Sequence, residues 1–199
     1  MSIDAFNIEL KNLVSVQAGF PFRGAIVGDS NGTALAVQMK DVDSEAGIHW
    51  AGVVRTDLPG RKSPDWLQQA DLLFVSRGTR FYAVHVESPP ANAVCGPHFF
   101  HFTLKSRVKV LPGFLAWQIN QPPFQRQLRQ AAEGSSQLSI RRPVLESTCI
   151  SVPSLANQHS ILALAKLAQQ ERRALHQLVR NRDLQLEALA EALAMSPIS

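Results

Sequence analysis

Cysteine is scarce in this chain, and long apolar runs are absent from it. Cys95 and Cys149 lie far apart with no Cys-x-x-Cys pair, which argues against a zinc module and is typical of proteins in a reducing cytosol. No apolar run approaches the ~18 residues of a transmembrane helix. The first residues have neither the basic start nor the apolar stretch of a secretory signal. We therefore expect a cytoplasmic protein with no membrane contact.

Acidic residues are sparse in the middle of the chain, although the formal net charge is only +4. Residues 72–142 carry nine Lys or Arg against two acids, Glu87 and Glu133, whereas residues 1–65 carry six Lys or Arg against eight acids. A concentrated positive segment fits a phosphate backbone, since each neutralised phosphate releases counterions. Charge alone leaves open the alternative, a solvated basic surface without a partner.

The composition is that of a core-forming globular chain, with 45% of its 199 residues hydrophobic and 18% charged. Short apolar runs bounded by turn residues predict strands and one hairpin, about Arg77-Gly78-Thr79-Arg80. The predicted strands cover residues 34–39, 72–76, 81–86 and 98–104. Two short helices are predicted over residues 114–119 and 124–132.

Neither glycine nor proline occurs between residues 154 and 194, where Ala, Leu, Gln, Glu and Arg dominate. This composition predicts one helix that Ser154 caps and Pro197 closes, a rod of about 60 Å at ~1.5 Å per residue. Apolar residues recur along it at heptad spacing and form a wide seam that needs a partner helix. Packing along the flank of the chain's own domain is the alternative. The seam residues, expected at a dimer interface, are Ile161, Leu164, Ala168, Leu175, Leu178, Val179, Leu186, Leu189 and Leu193.

No complete catalytic constellation is found. Asn120-Gln-Pro-Pro-Phe124 is similar to a methyltransferase motif, but the inserted glutamine displaces the asparagine that must hold the target amino group. Pro64-Asp65 could begin a nuclease motif, yet no later lysine has an acid two positions before it, so a metal could not be held. His98 and His101 would point to opposite faces of a strand, which favours core or edge packing over a metal pair. The sequence thus predicts a binding protein with no catalysis, metal or cofactor of its own.

Aromatic side chains could add stacking contacts to a binding surface. Phe99, Phe100 and Phe102 lie in one predicted strand and are expected in the core. Trp50 and Tyr82 are the better candidates for exposed aromatic contacts.

Six short segments follow one another along nearly the whole chain. They are Gly19-Phe-Pro-Phe22, Ala36-Val-Gln-Met-Lys-Asp-Val42, Leu67-Gln-Gln-Ala-Asp-Leu-Leu-Phe-Val-Ser-Arg-Gly78, Pro112-Gly-Phe-Leu115, Ala132-Glu-Gly-Ser-Ser-Gln-Leu-Ser-Ile140, and Val152-Pro-Ser-Leu-Ala-Asn-Gln158 with Ile161. In this order they resemble one target-recognition domain and its trailing helix in the specificity subunits of type I restriction-modification systems. The last segment is similar to the Pro-x-Leu-x-x-Gln-x-x-Ile start of the family's spacer helix.

The resemblance implies an α+β fold with two parts. Residues 1–152 would form a small mixed target-recognition domain of short strands and helices, and residues 153–199 one long coiled-coil helix. A full specificity subunit carries two recognition domains and two such helices, which in the family form an antiparallel coiled coil that docks the modification subunits. This chain therefore corresponds to a half-subunit. A homodimer would rebuild the arrangement and read a bipartite, palindromic site.

The expected function is sequence-specific binding of double-stranded DNA on behalf of a DNA methyltransferase, acting on adenine, and of a restriction subunit as a further partner. The alternative is a coiled-coil adaptor that binds only protein, its basic segment being incidental. Salt-dependent binding to duplex DNA separates the two. An undetected enzyme is a third alternative, which turnover by the pure chain would favour.

Base readout needs paired donors and acceptors, Arg for guanine and Asn or Gln for adenine. The hairpin supplies two guanidinium groups and the Thr79 hydroxyl, and a loop after Gly134 supplies hydroxyls and an amide. We expect Arg77, Arg80 and Gln137 to contact bases. Phosphate contacts are expected from Lys40, Ser135, Ser136, Arg141 and Arg142.

Overall fold

The computed structural model describes residues 6–60, 63–134 and 137–194, as two compact units that divide between His159 and Ser160. The strands are β1 (Phe6–Glu9), β2 (Val14–Ala18), β3 (Ala34–Val37), β4 (Val42–Asp43), β5 (Gly47–Ile48), β6 (Val54–Thr56), β7 (Leu72–Val75), β8 (Tyr82–His85), β9 (Ala93–Cys95), β10 (Phe99–Leu104) and β11 (Cys149–Val152). The helices are α1 (Leu10–Leu13), α2 (Pro112–Ile119), α3 (Pro122–Ala131), α4 (Arg142–Ser147) and α5 (Leu155–Ala194). Short strands and helices followed by one long helix confirm the predicted α+β fold.

The central sheet has four antiparallel strands in the order β2-β10-β7-β8. β7 and β8 form the predicted hairpin, with Val75 opposite Tyr82. All four residues of β7 are buried, as its unbroken apolar run requires of a strand covered on both faces. On one face Phe74 stacks on Phe102 with ring centroids 5.8 Å apart. This strand is therefore a rigid base for the turn that follows it.

A second sheet of three strands, in the order β6-β3-β9, shares the core with the first. β3 pairs antiparallel with β6 but parallel with β9. Leu73 and Val75 of β7 belong to one buried cluster with Val37 and Cys95 of this second sheet. The two sheets thus hold the β7–β8 hairpin and the end of β3 in a fixed relation.

The helices α2 and α3 each begin at a proline, two residues before the predicted starts. Proline is favoured at the first helical position because its ring presets the backbone and its missing N–H has no partner there anyway. Asn120 at the end of α2 fixes the helix to the edge strand β8. Its Oδ1 accepts the backbone N–H of Ala83 and its Nδ2 donates to the Ala83 carbonyl, both at 2.8 Å. The Asn120 amide of the methyltransferase-like motif therefore has a structural role.

The long helix α5 was predicted from composition, and 40 of its residues are helical in the structure. Ser154 caps it as predicted, since its Oγ accepts the N–H of Asn157 at 3.4 Å. Pro197 lies outside the described residues. Just before the helix, β11 pairs antiparallel with β1, with Ile150 opposite Ile8. No helix in the described ranges combines the length and hydropathy needed to cross a membrane.

Candidate nucleic-acid interface

The tip of the β7–β8 hairpin carries three of the side chains predicted to contact DNA. Arg77, Thr79 and Arg80 are all exposed. Gly78 between them has a φ of +124°, which residues with a side chain rarely adopt, so the turn requires glycine. Among the described residues, no carboxylate lies within ion-pairing distance of either arginine. Both guanidinium groups are thus available to a ligand.

The loop that follows α3 lies directly beside this tip. The N–H of Gly78 donates to the Leu138 carbonyl at 3.0 Å, and the N–H of Ile140 donates to the Ser76 carbonyl at 3.0 Å. Arg77 is thereby joined to the loop by an antiparallel bridge. The structure therefore brings together two segments that the sequence singled out separately.

The loop itself is closed by its own backbone. Glu133 and Ser139 exchange N–H···O bonds of 3.0 and 2.8 Å. Gly134 has a φ of +116°, and a Cβ there would lie 2.3 Å from the Gln137 carbonyl oxygen, so this tight turn also requires glycine. The Gln137 side chain is exposed beside the hairpin tip. Two of the predicted phosphate contacts lie outside the described residues: Ser135 and Ser136.

Lys40 approaches the hairpin from another element. The strand predicted over residues 34–39 is shorter in the structure, because β3 ends at Val37 and Lys40 lies in a 3-10 turn over Met39–Asp41. The buried carboxylate of Asp41 accepts the backbone N–H of Gln38 at 2.9 Å, which closes a capping box and ends the strand. The Met39 methyl lies 3.7 Å from the point where a Cβ on Gly78 would be. The exposed Lys40 is thus carried next to the hairpin tip.

Arg141 and Arg142 differ from these residues because each already faces an acid. Arg141 forms an ion pair with Glu133, and the Nε of Arg142 donates to Oε1 of Glu146 at 2.8 Å. Both arginines are exposed, and surface ion pairs are worth only about 0–1 kcal/mol. A phosphate could therefore compete for either one. Their assignment to phosphate stays a prediction.

The prediction that Trp50 and Tyr82 are exposed aromatic contacts is wrong. Both are half-buried against the core cluster. The Trp50 indole N–H donates to the Glu87 carbonyl at 3.3 Å, and the Tyr82 hydroxyl donates to the Val42 carbonyl at 2.9 Å. Amphipathic rings of this kind bury their bodies and satisfy their polar ends. In the strand predicted to be core, Phe99 and Phe102 are fully buried and Phe100 is half-buried.

The pKa of Tyr82 depends on charges close to the hairpin. Burial raises the pKa of its phenol, the carboxylate of Asp43 raises this pKa further, and the guanidinium of Arg80 opposes both by lowering it. The charges of Asp43 and Arg80 therefore act on this phenol in opposite directions.

The two histidines do not share a strand, because β10 begins at Phe99 and His98 lies just before it. His101 is buried, with its Nε2 2.7 Å from Oδ2 of the buried Asp71, whereas His98 is exposed. Asp71 also accepts the N–H of Gln68 at 2.7 Å, so it fixes a loop as well as the imidazole. Within the ranges that the structure describes, no three His, Cys, Asp or Glu residues are grouped as metal ligands.

Sequence reasoning missed that helix α3 ends at this surface. Glu133, two residues after α3, is paired through Ser139 to Arg77, so Glu133 and the hairpin tip are separated by only two strand spacings. Adjacent strands lie about 4.8 Å apart, which puts the Glu133 backbone about 10 Å from that of Arg77. The buried pair Phe124 and Leu128, four residues apart, was the available signal for an amphipathic helix.

The predicted seam of α5 is largely open in the single chain. Ile161 and Ala168 are half-buried, and the remaining seam residues are exposed. Leu175 and Leu178, for example, are 53% and 64% exposed. The exposed seam residues are Leu164, Leu175, Leu178, Val179, Leu186, Leu189 and Leu193. An isolated helix with this much open leucine surface has the character of an interface.

The fold is shared with specificity subunits of type I restriction-modification systems. A type I S subunit from M. genitalium matches with a TM-score of 0.59 and 16% identity, over 94% of this chain and 45% of that chain. The HsdS subunit from Thermoanaerobacter tengcongensis matches with a TM-score of 0.61 and 15% identity, over 98% and 44%. A chain from a structure of type I R-M complex assembly matches with a TM-score of 0.62 and 14% identity, over 96% and 45%.

These neighbours confirm the resemblance to specificity subunits at the level of the fold. The chain spans somewhat less than half the length of each of them. No protein-family model and no curated protein sequence matches it. Its function is therefore argued from its own residues and from this fold.

Proposed function

We propose that this chain is the sequence-specific DNA-binding half of a type I restriction-modification specificity subunit. One observation carries the proposal: Lys40, Arg77, Arg80 and Gln137, drawn from three separate segments, are exposed on neighbouring turns. These side chains combine point charge, paired guanidinium donors and an amide, which are the groups needed for phosphate contact and base readout. The fold shared with specificity subunits supports the same function.

The electrostatics favour a polyanion as the ligand. Lys40, Arg77 and Arg80 have no ion-pair partner in the described ranges. The buried carboxylate that follows Lys40, that of Asp41, accepts the backbone N–H of Gln38. Each of these cations that meets a phosphate would add roughly one to the slope with which log K falls as log[salt] rises. That slope is the quantity to measure.

A homodimer through α5 would complete the half-subunit. Residues 155–182 of the helix carry five Lys or Arg against one acid, whereas residues 183–194 carry three acids and no base. A parallel pair in register would set like charges side by side. An antiparallel pair would bring the acidic end of each helix toward the basic part of the other, which is favourable by up to ~0.5 kcal/mol per exposed pair. The two recognition domains would then lie at opposite ends of the coiled coil and read a palindromic site.

In this proposal the chain supplies recognition and no chemistry. A DNA methyltransferase acting on adenine would dock on the helix pair, and a restriction subunit would join through it. The adaptor alternative has the same helix but gives no reason for an exposed cluster of unpaired cations beside an amide. No observation specifically favours it.

The test is binding of the full-length chain to duplex DNA across a salt series. We expect the affinity for duplex DNA to fall when Lys40, Arg77 and Arg80 are all changed to Gln, and the slope of log K against log[salt] to fall by roughly one per cation that contacts phosphate. The matched control changes three other exposed cations, Lys105, Arg107 and Lys109, to Gln. They follow β10 at the end of the sheet away from Arg77. Equal losses in both triple variants, or binding that ignores salt, would contradict the proposed interface.

A further inference from the structure

Helix α3 has an exposed face built entirely from arginine, glutamine and proline. Phe124 and Leu128 are buried on the opposite face. The exposed side chains of the helix are Pro122, Pro123, Arg126, Gln127, Arg129 and Gln130. In helical projection Arg126 lies nearly opposite the buried pair, and Gln130 lies one turn beyond it on the same line. We propose that α3 is a recognition helix, which enters the major groove of DNA and reads bases through Arg126 and Gln130.

The chemistry of this face is selective for base edges. Arginine pairs with guanine and glutamine with adenine through two hydrogen bonds each. A surface meant only for solubility would mix acids with bases, but residues 88–132 contain no Asp or Glu at all. A docking face for protein would be expected to expose apolar side chains at its centre. Here the two large apolar residues of the helix, Phe124 and Leu128, are buried.

The exposed arginine and glutamine side chains of α3 differ in their hydrogen bonding from the amide side chains just before them. Just before them, Gln121 donates its amide to the Trp117 carbonyl at 2.9 Å, and Gln125 donates to the Ile119 carbonyl at 2.8 Å. Asn120 is bonded to β8. In the described structure, Arg126, Gln127, Arg129 and Gln130 form no such bond. The amides at the start of the helix are used to hold it, and those on its exposed face remain available.

The helix is held rigidly enough to position these groups. Pro122 and Pro123 fill its first two positions and preset the backbone. The corner before them is fixed to the edge strand by Asn120. A base-reading side chain gains specificity when its backbone is already ordered, because less freedom is lost on binding.

Dimensions and continuity place the helix with the rest of the interface. Ten residues make a helix about 15 Å long, and the major groove is about 12 Å wide. The last turn of α3 leads through Glu133 and Ser139 to the hairpin tip. The hairpin and the loop would therefore contact DNA beside the base pairs that α3 reads. This inference rests on the proposed DNA-binding function and adds a second reading element to the hairpin.

The experiment selects preferred sites from duplexes with randomised bases, using the full-length wild type and single variants. Arg126→Lys keeps the charge but loses the planar fork that binds guanine. We expect it to bind random duplex as the wild type does, yet to lose about tenfold in preference at one base pair. Gln130→Ala should lose preference at a base pair within about two of the first, because one helical turn rises ~5.4 Å against 3.4 Å per base pair. Arg107→Lys is the matched control and should change no preference.

Two results would overturn the assignment while leaving DNA binding intact. In the first, Arg126→Lys keeps the base preference of the wild type and Arg126→Ala lowers the affinity for all sequences equally. This pattern would mean that Arg126 contacts phosphate only. The other is a pair of affected positions far apart in the site, which no single helix could touch. Absence of any duplex binding by the wild type would remove the proposed function and the reading helix with it. Helical content by circular dichroism checks that each variant folds.

Discussion

The side-chain amide of Gln158 binds the backbone of Leu111, 47 residues earlier in the chain, at 2.8 Å. Its Oε1 accepts the Leu111 N–H, while its Nε2 donates to the carbonyls of Lys109 and Pro153 at 3.0 and 2.8 Å. Gln158 is fully buried, and its amide is satisfied by these three bonds. One residue therefore ties the first turn of α5 to the segment that starts α2. This geometry gives a physical reason for glutamine in the Pro-x-Leu-x-x-Gln segment.

Removal of this amide should destabilise the recognition domain. In Gln158→Ala one N–H and two carbonyls would lose their partner in buried or partly buried surroundings, and a buried group that is left unsatisfied costs roughly 1–3 kcal/mol. We expect the free energy of unfolding in urea to fall by at least about 2 kcal/mol. The exposed Gln170 on the same helix is the control, and Gln170→Ala should change stability by less than about 0.5 kcal/mol. Similar small effects in both variants would contradict the role given to Gln158.

Local sequence patterns predicted the elements that depend on neighbouring residues. The hairpin about residues 77–80 was found because two apolar runs flank a short turn containing Gly78. The long helix was found because 40 consecutive residues lack a helix breaker. Even there the starts of α2 and α3 lie two residues before the predicted ones, since a proline at the first helical position extends a helix that apolar spacing alone does not mark.

Contacts between distant residues could not be read from the sequence. The parallel pairing of β3 with β9 joins Ala36 to Val94, and the pairing of β1 with β11 joins Ile8 to Ile150. No local pattern encodes either. The interface depends on the same kind of contact, because the bridge between Arg77 and Ser139 is what places the Gln137 loop beside the hairpin. The half-burial of Tyr82 was missed because strand alternation does not reveal what covers each face.

The pKa of Tyr82 should be measurably above its ordinary value, and Tyr82 is the only tyrosine in the chain. Burial and Asp43 raise this pKa, and Arg80 lowers it. Absorbance titration of the phenolate should therefore show a further rise in Arg80→Ala and a fall in Asp43→Asn. A shift in the opposite direction in either variant would contradict the placement of that charge.

The same shift predicts how stability changes with alkaline pH. The folded state holds the phenolic proton more tightly than the unfolded state, whose pKa is about 10. The stabilisation is complete below that value and is lost as pH rises through the folded pKa. Urea denaturation from pH 9 upward should show this decline, and Tyr82→Phe should show a weaker decline.

The oligomeric state should depend on the leucine seam of α5. Leu175→Lys combined with Leu178→Lys would put two charges into the seam, where desolvation costs several kcal/mol. We expect light scattering to report a dimer for the wild type and a monomer for this variant. Gln170→Lys with Gln177→Lys adds the same charge at one heptad position off the seam, and should remain dimeric. A wild-type mass in the Leu175 and Leu178 variant would show that the seam is not the interface.

Substitution of Arg77 or Arg80 should change the preference for particular base pairs, whereas substitution of Arg141 or Arg142 should change only the overall affinity for DNA. An arginine that reaches a guanine edge with two bonds contributes about 1–3 kcal/mol of discrimination at one base pair. Arg77→Ala or Arg80→Ala should therefore relax one position in each half-site. Arg141→Ala or Arg142→Ala should weaken all sequences alike and reduce the salt slope by roughly one per phosphate contact, because each can exchange its acid partner for a phosphate. Binding to a library of bipartite duplexes across a salt series separates the two patterns. In a homodimer every change must appear twice, so unlike half-sites would contradict the symmetric assembly.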